Sequence, residues 1–389
     1  MQAAPSHHLH VPLADSQRVL LWQSMHAWSP PRQVMLTTDN ISADGAHRSV
    51  SQGTALLWQG DYHQARQLLA AIKRRLDKKS PSFDSLAWPE RFHRIRLHRS
   101  QTARQAGMLL IEIKPGYVID LPRAPDAKMA YGALNMAYGE RLKDKHFAVP
   151  LTELTGVLSA HEWHRKGLPV KALEQTIYPR WGVFAPTRHE YLDLVMQAQL
   201  PTTCKRAVDV GTGTGVLAMM LAKRGVVEVV ATDNNPAALA CAQDNIARAG
   251  LQPYIQVVNA DLMPDGQFDL LVCNPPWLPG AASGPLEAAI YDPQHQMLRG
   301  FLCQASTHLT ARGQAWLILS DLAEHLQLRS RDDLLTWIKE AGLTVANRLD
   351  TRPTHRKLHD TEDPMAPERR AEITSLWQLA RLSSLDETH

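Results

Sequence analysis

Arg206-Ala-Val-Asp-Val-Gly-Thr-Gly-Thr-Gly215 reads as a short buried strand breaking into a glycine loop, and residues 216–224 continue with helical spacing. Working outward, a strand over 228–232 ends at Asp233-Asn234-Asn235 and gives way to a helix over 236–249 with proline in its first turn. Strands over 255–259 and 268–273 follow, then a helix over 297–309, a strand over 315–320, a helix over 331–341, and strands over 344–349 and 373–380. Strand-helix alternation of this kind predicts an α/β, doubly wound, Rossmann-like sheet of seven strands. Ligands of such sheets lie outside the carboxyl ends of the strands.

Candidate site residues fall at four successive strand ends. Gly211, Gly213 and Gly215 permit a tight turn and let a cofactor approach the backbone at a helix N-terminus. Asp233, about twenty residues further on, stands where an acid accepts hydrogen bonds from ribose hydroxyls. A nicotinamide enzyme shares these features, but the spacing here is Gly-x-Gly-x-Gly, and Asp261 ends the next strand where it can reach an adenine amino group. The fourth strand ends at Asn274-Pro275-Pro276-Trp277. Two prolines cannot continue a ladder, so the turn is stiff and holds one amide and one aromatic face in fixed relation. A planar NH2 group suits that pair: the Asn274 carbonyl and a backbone carbonyl accept its two protons while the ring stacks on its conjugated system.

With those motifs, residues from about 176 to 389 resemble the class I S-adenosylmethionine-dependent methyltransferases, in the branch with an Asn-Pro-Pro-aromatic motif. That branch includes release-factor glutamine methyltransferases and enzymes acting on exocyclic amines of adenine and guanine in RNA and DNA. The resemblance implies S-adenosylmethionine as cofactor, with Asp209, Gly211, Gly213 and Gly215 at its methionine side, Asp233 at the ribose, and Asp261 with the Leu262 backbone at the adenine. It assigns Asn274 and the Pro275 carbonyl to the acceptor nitrogen, with Trp277 and Pro276 against the acceptor. Phe184-Ala-Pro186-Thr187 with Glu190 is similar to the element those enzymes place over the cofactor, which makes Phe184 and Pro186 further substrate-side candidates. Trp277 stands where Tyr or Phe is commoner, implying a roomier or flatter acceptor, and the basic insertion over 351–370 is a departure from the family.

At 389 residues, with 44% hydrophobic and 21% charged, the chain suits two globular domains. The division expected is 1–170, a smaller mixed α+β substrate-recognition domain, and 171–389, the catalytic domain. Helices are expected over 15–28 and 51–78, the latter broken at Gly60-Asp61, then a hairpin over 107–121, irregular chain over 122–150, a helix over 152–166 and two short strands over 176–187. No second copy of the helical pair supports a solenoid. His7, His8 and His10 read as a frayed end with no metal site. The four cysteines lack a Cys-x-x-Cys and read as buried thiols.

No apolar run reaches bilayer length and no secretory signal pattern opens the chain, so a cytoplasmic protein is expected. Residues 1–150 hold twenty Lys and Arg against twelve Asp and Glu, more than the whole +3 surplus. The cations concentrate over 73–104, with Lys73, Arg74, Arg75, Lys78, Lys79, Arg91, Arg94, Arg96, Arg99 and Arg104, a surface that phosphates can bind. Arg352, His355, Arg356, Lys357 and His359 add a second basic stretch. The sequence therefore predicts N-methylation of a planar NH2 on RNA or on a protein glutamine. A small amide or amine metabolite, and a cofactor-binding scaffold without catalysis, remain as alternatives, and neither oligomeric state nor degree of methylation is legible.

Overall fold

The computed structural model describes residues 8–78, 80–354 and 363–382. His7, Lys79 and the insertion residues His355, Arg356, Lys357 and His359 lie outside them. The chain divides into units 1–162 and 163–389, with the division at 162/163 where 170/171 was expected.

The N-terminal unit corrects several expectations. It is built on a six-stranded sheet of β1 (His8–Pro12), β2 (Gln17–Trp22), β3 (Gln33–Thr37), β4 (Thr54–Trp58), β5 (Leu109–Ile113) and β6 (Phe147–Pro150), in the order β1-β2-β6-β5-β4-β3. Leu9 and Val11 of β1 are fully buried, so the expected frayed end is ordered strand from His8 on. The expected helix over 15–28 is β2, and the first half of the expected helix over 51–78 is β4. Ala55, Leu56, Leu57 and Trp58 are buried on both faces of a central strand, and such an uninterrupted apolar run has no period of its own to separate strand from helix. Gly60-Asp61 starts the second half: Asp61 caps helix Tyr62–Asp77 by accepting from Gln64 N at 3.1 Å. No hairpin forms over 107–121, since β5 pairs with β4 and β6, and only an isolated bridge joins Lys114 to Val118. Residues 122–150 are not irregular; Asp126 caps helix Ala127–Tyr138, and β6 follows.

The C-terminal unit holds the seven-stranded sheet. Its strands are β9 (Arg206–Val210), β10 (Glu228–Asp233), β11 (Ile255–Asn259), β12 (Phe268–Cys273), β13 (Leu309–Ser320), β14 (Leu343–Thr351) and β15 (Thr374–Arg381), preceded by a two-stranded sheet of β7 (Leu168–Val170) and β8 (Gln175–Ile177). β7 and β8 replace the two strands expected over 176–187. The order is β11-β10-β9-β12-β13-β15-β14, parallel except that β15 runs antiparallel to both neighbours. Alternation splits each strand between two cores. Ala207, Val229, Ala231 and Val272 face helices Glu190–Gln197 and Val216–Lys223, while Val208, Val210, Val230 and Cys273 face helices Gln296–His308 and Arg331–Glu340. All four cysteines are free thiols; Cys241 and Cys273 are buried as expected, but Cys204 is half-buried and Cys303 exposed, on the outer side of helix Gln296–His308. Among the described residues no helix is long and apolar enough to cross a membrane.

Candidate active site

Because β11, β10, β9 and β12 are parallel neighbours in that order, their carboxyl ends form one row: Asp261, Asp233, Gly211 and Asn274 lie along a single edge of the sheet. Asp209 alternates with Val208 and Val210, so its carboxyl points to the face covered by helix Val216–Lys223. Its Oδ2 accepts from Thr212 Oγ1 at 2.6 Å and from Ala218 N at 3.0 Å, pinning loop and helix to the strand. Its Oδ1 is buried without a partner, and burial pushes the carboxyl up to about 6.

The loop turns through left-handed glycines: φ is 71° at Gly211, 54° at Gly213 and 82° at Gly215. Around Gly211 the space is already filled, since an added Cβ would come 2.5 Å from Met297 Cε. Around Gly213 it is open, with Gly211 O at 4.0 Å the nearest atom in the Cβ direction. Asp233 closes the loop from the neighbouring strand, Oδ2 accepting from Gly213 N at 3.1 Å and Oδ1 from Asn235 N at 2.9 Å. Burial raises its carboxyl as well. Each oxygen retains a lone pair for a further donor.

At the end of β11, Asp261 is exposed and accepts from Asn234 Nδ2 at 3.3 Å. Leu262 follows at φ 72°, a left-handed conformation uncommon for leucine, held there by Thr232 Oγ1 donating to its carbonyl at 2.7 Å. Helix Gln296–His308 presses on this corner: a Cβ on Gly300 would come 2.6 Å from Leu262 Cδ1. That helix is anchored by Asp292, whose two oxygens accept from Met297 N at 3.0 Å and Leu298 N at 3.1 Å. Met297, Gly300 and Asp292 carry no motif and were not legible in the sequence.

At the end of β12, Pro275 and Pro276 are buried, and Trp277 Nε1 donates to Asn274 Oδ1 at 3.0 Å. The structure thus joins the two side chains predicted to receive an acceptor. Pro186 is buried and Phe184 is 40% exposed, and from the same segment Arg188 reaches Trp277, its guanidinium carbon 4.6 Å from the ring centroid.

The strand order and directions, parallel but for β15 and with the switch between β9 and β12, are those of a Rossmann-like methyltransferase sheet. Residues 174–335 match the family model of the methyltransferase small domain. Among similar proteins, the release factor glutamine methyltransferase of Mycolicibacterium smegmatis is 39% identical over 125 residues, covering 31% of this chain and 44% of the relative. The ribosomal protein L11 methyltransferase of Symbiobacterium thermophilum is 30% identical over 135 residues, 30% of this chain and 44% of the relative. The tRNA1(Val) (adenine(37)-N6)-methyltransferase of Parabacteroides distasonis is 44% identical over 79 residues, 19% of this chain and 33% of the relative. The matches thus span less than half the length of each of these relatives.

Proposed function

We propose that the C-terminal domain is an S-adenosylmethionine-dependent N-methyltransferase acting on a planar NH2 nitrogen of a macromolecule, an RNA base amine or a protein glutamine amide. The observation that carries this reading is the row of four strand ends, each offering chemistry for a different part of one reaction. The residues fit the cofactor: Gly213 leaves open space beside the backbone, Asp233 has lone pairs for ribose hydroxyls, and Asp261 with the Leu262 backbone offers an edge for adenine. S-adenosylmethionine bound there would supply an electrophilic sulfonium methyl.

Asn274 Oδ1 keeps one lone pair beyond its bond to Trp277, so it accepts one acceptor proton, and the Pro275 carbonyl accepts the other. Trp277 supports the flat acceptor. Held this way, the nitrogen lone pair would face the methyl that the bound cofactor would supply, and the nitrogen's proton would leave to solvent afterwards. Positioning and exclusion of water provide most of the rate, and no general base is required. Macromolecular acceptors are favoured by the N-terminal unit, where Lys73, Arg74 and Arg104 are exposed and make no ion pair among the described residues. The names of the relatives support the same acceptor classes. Cytoplasm is the proposed location.

Transfer of labelled methyl from S-adenosylmethionine into RNA, protein and small-molecule fractions of a cell extract tests the reading and separates the acceptors. Asn274→Ala is expected to lower turnover at least about 100-fold while sparing cofactor binding. Asp233→Ala is expected to weaken cofactor binding first. Turnover in Asn274→Ala equal to that of the parent chain would sink the mechanism.

A further inference from the structure

We infer that Arg188 is a positioning residue of the acceptor site, the backing plate that fixes Trp277; the inference rests on the N-methyltransferase reading above. Three edge donors of the guanidinium are committed in different directions. Nε donates to Glu190 Oε1, Nη1 to Glu372 Oε1 at 2.9 Å, and Nη2 to Thr374 Oγ1 at 3.0 Å. With its edges held, the planar group cannot rotate, and its central carbon lies over the indole of Trp277, 4.6 Å from the ring centroid. Arginine alone offers this combination of in-plane hydrogen bonds and face-on stacking.

The anchors are themselves rigid. Glu372 is fully buried and also accepts from Ser320 Oγ at 2.7 Å, while Glu190 is 6% exposed. Arg188 therefore joins three places distant in sequence, the 184–190 segment, the end of β13 and the start of β15, to the turn after β12. Trp277 is then fixed twice, on one face by the guanidinium and at its edge by the bond from Nε1 to Asn274. This explains why tryptophan suits the position. Phenylalanine has no edge donor, and tyrosine carries its donor at the far end of the ring. Fixing the indole also fixes the amide, since the same bond orients Asn274 Oδ1. Ring surface remains available for the acceptor, because Trp277 is only partly buried.

Removing the arginine outright leaves Glu190 and Glu372 facing each other in a buried place, so Arg188→Met is expected to fold poorly. Arg188→Lys keeps the charge and loses the fork and the flat face, and it is the variant to use. In the 15N-tryptophan spectrum of the full chain, Trp277→Phe identifies the Trp277 signal among ten indole N–H resonances. In Arg188→Lys that signal is expected to shift and its proton to exchange about tenfold faster, while those of Trp316 and Trp377 stay in place. S-adenosylmethionine affinity should change less than about twofold, and KM for the extract fraction that takes label should rise about tenfold with kcat little altered. An unmoved Trp277 signal with unchanged KM overturns the inference. So does a shift of all ten signals together, which would make Arg188 merely structural. If the parent chain transfers no methyl, the methyltransferase reading fails by itself, and the indole signal still decides whether Arg188 fixes Trp277.

Discussion

Both units contain a parallel strand that leaves its sheet through a glycine turn and enters a helix, and the two turns are built in opposite senses. In the N-terminal unit, β4 passes through Gly60 into helix Tyr62–Asp77, and the polar groups at the turn are used internally. Trp58 Nε1 donates to Asp61 O at 3.0 Å, Asp61 holds Gln64 N and Arg123, and Asp39 accepts from Asp61 N at 3.1 Å. In the C-terminal unit, β9 passes through Gly211 to Gly215 into helix Val216–Lys223 with space open at Gly213, one oxygen of Asp209 unpartnered and Asp261 exposed. A strand-turn-helix unit is thus only a frame. Whether it is a site depends on whether its polar atoms have been consumed by the protein itself.

Substitution of the glycines breaks this comparison most sharply. Gly211→Ala places a side chain at φ 71°, with the flexible Met297 Cε 2.5 Å away able to swing aside, so it is expected to cost about 1–2 kcal/mol of stability and to weaken S-adenosylmethionine binding more than about 100-fold. Gly60→Ala meets Asp39 Oδ1 at 2.7 Å and should cost about 1–3 kcal/mol, with methyl transfer per folded molecule unchanged. Urea melts and cofactor titration measure both. Equal loss of cofactor affinity in the two variants would mean that the N-terminal turn is not closed off from the chemistry.

Next in size is a pair of opposed pH dependences inside the C-terminal unit. Burial raises the Asp209 carboxyl from 3.8 to about 6. Between about pH 4 and 6 the unfolded chain has released a proton that the folded chain still holds. Stability therefore falls as pH rises through that window, by roughly 3 kcal/mol, and is level above it. Burial, with Arg329 nearby, lowers His295 from 6.5 to about 4. Between those values the unfolded chain takes up a proton that the folded chain refuses, so stability falls as pH falls, again by roughly 3 kcal/mol. The two slopes nearly cancel in the parent chain. Asp209→Asn removes the first, and its urea midpoint relative to the parent should climb from pH 4 to pH 6. A constant offset between the two curves over that range would show that Asp209 titrates normally.

Legibility from the sequence follows the same division. The strands of the C-terminal sheet were readable because short apolar runs alternate with amphipathic helices, and the glycine loop, the two acids and Asn274 to Trp277 each mark a strand end. In the N-terminal unit β4 lacks a period because both its faces are buried, and β2 was hidden in a segment whose apolar spacing also suits a helix. Helix Ala127–Tyr138 was missed because Gly132 interrupts its pattern, and the place of that glycine is set by contact: a Cβ there would lie 2.8 Å from His161 Nε2. Arg188 was invisible for a related reason. Its partner Glu372 is 184 positions away, and nothing local distinguishes a buried fork from a solvated cation.

The smallest effect expected concerns the exposed cations of the N-terminal unit, which sharpen the comparison by asking whether that unit contributes binding where it contributes no site. Lys73 and Arg74 lie on the outer face of helix Tyr62–Asp77 and make no ion pair among the described residues, whereas Arg75 beside them holds Asp44 at 2.7 Å. Lys73→Glu with Arg74→Glu should leave stability within about 0.5 kcal/mol, because no packing or partner is lost. If phosphates dock there, affinity for total RNA falls and the slope of log affinity against log salt shrinks by about 2, one for each phosphate contact removed. Filter binding over a salt series measures it. A slope identical to that of the parent chain would return these cations to the role of ordinary solvated charge, and the acceptor would then be sought among protein glutamines.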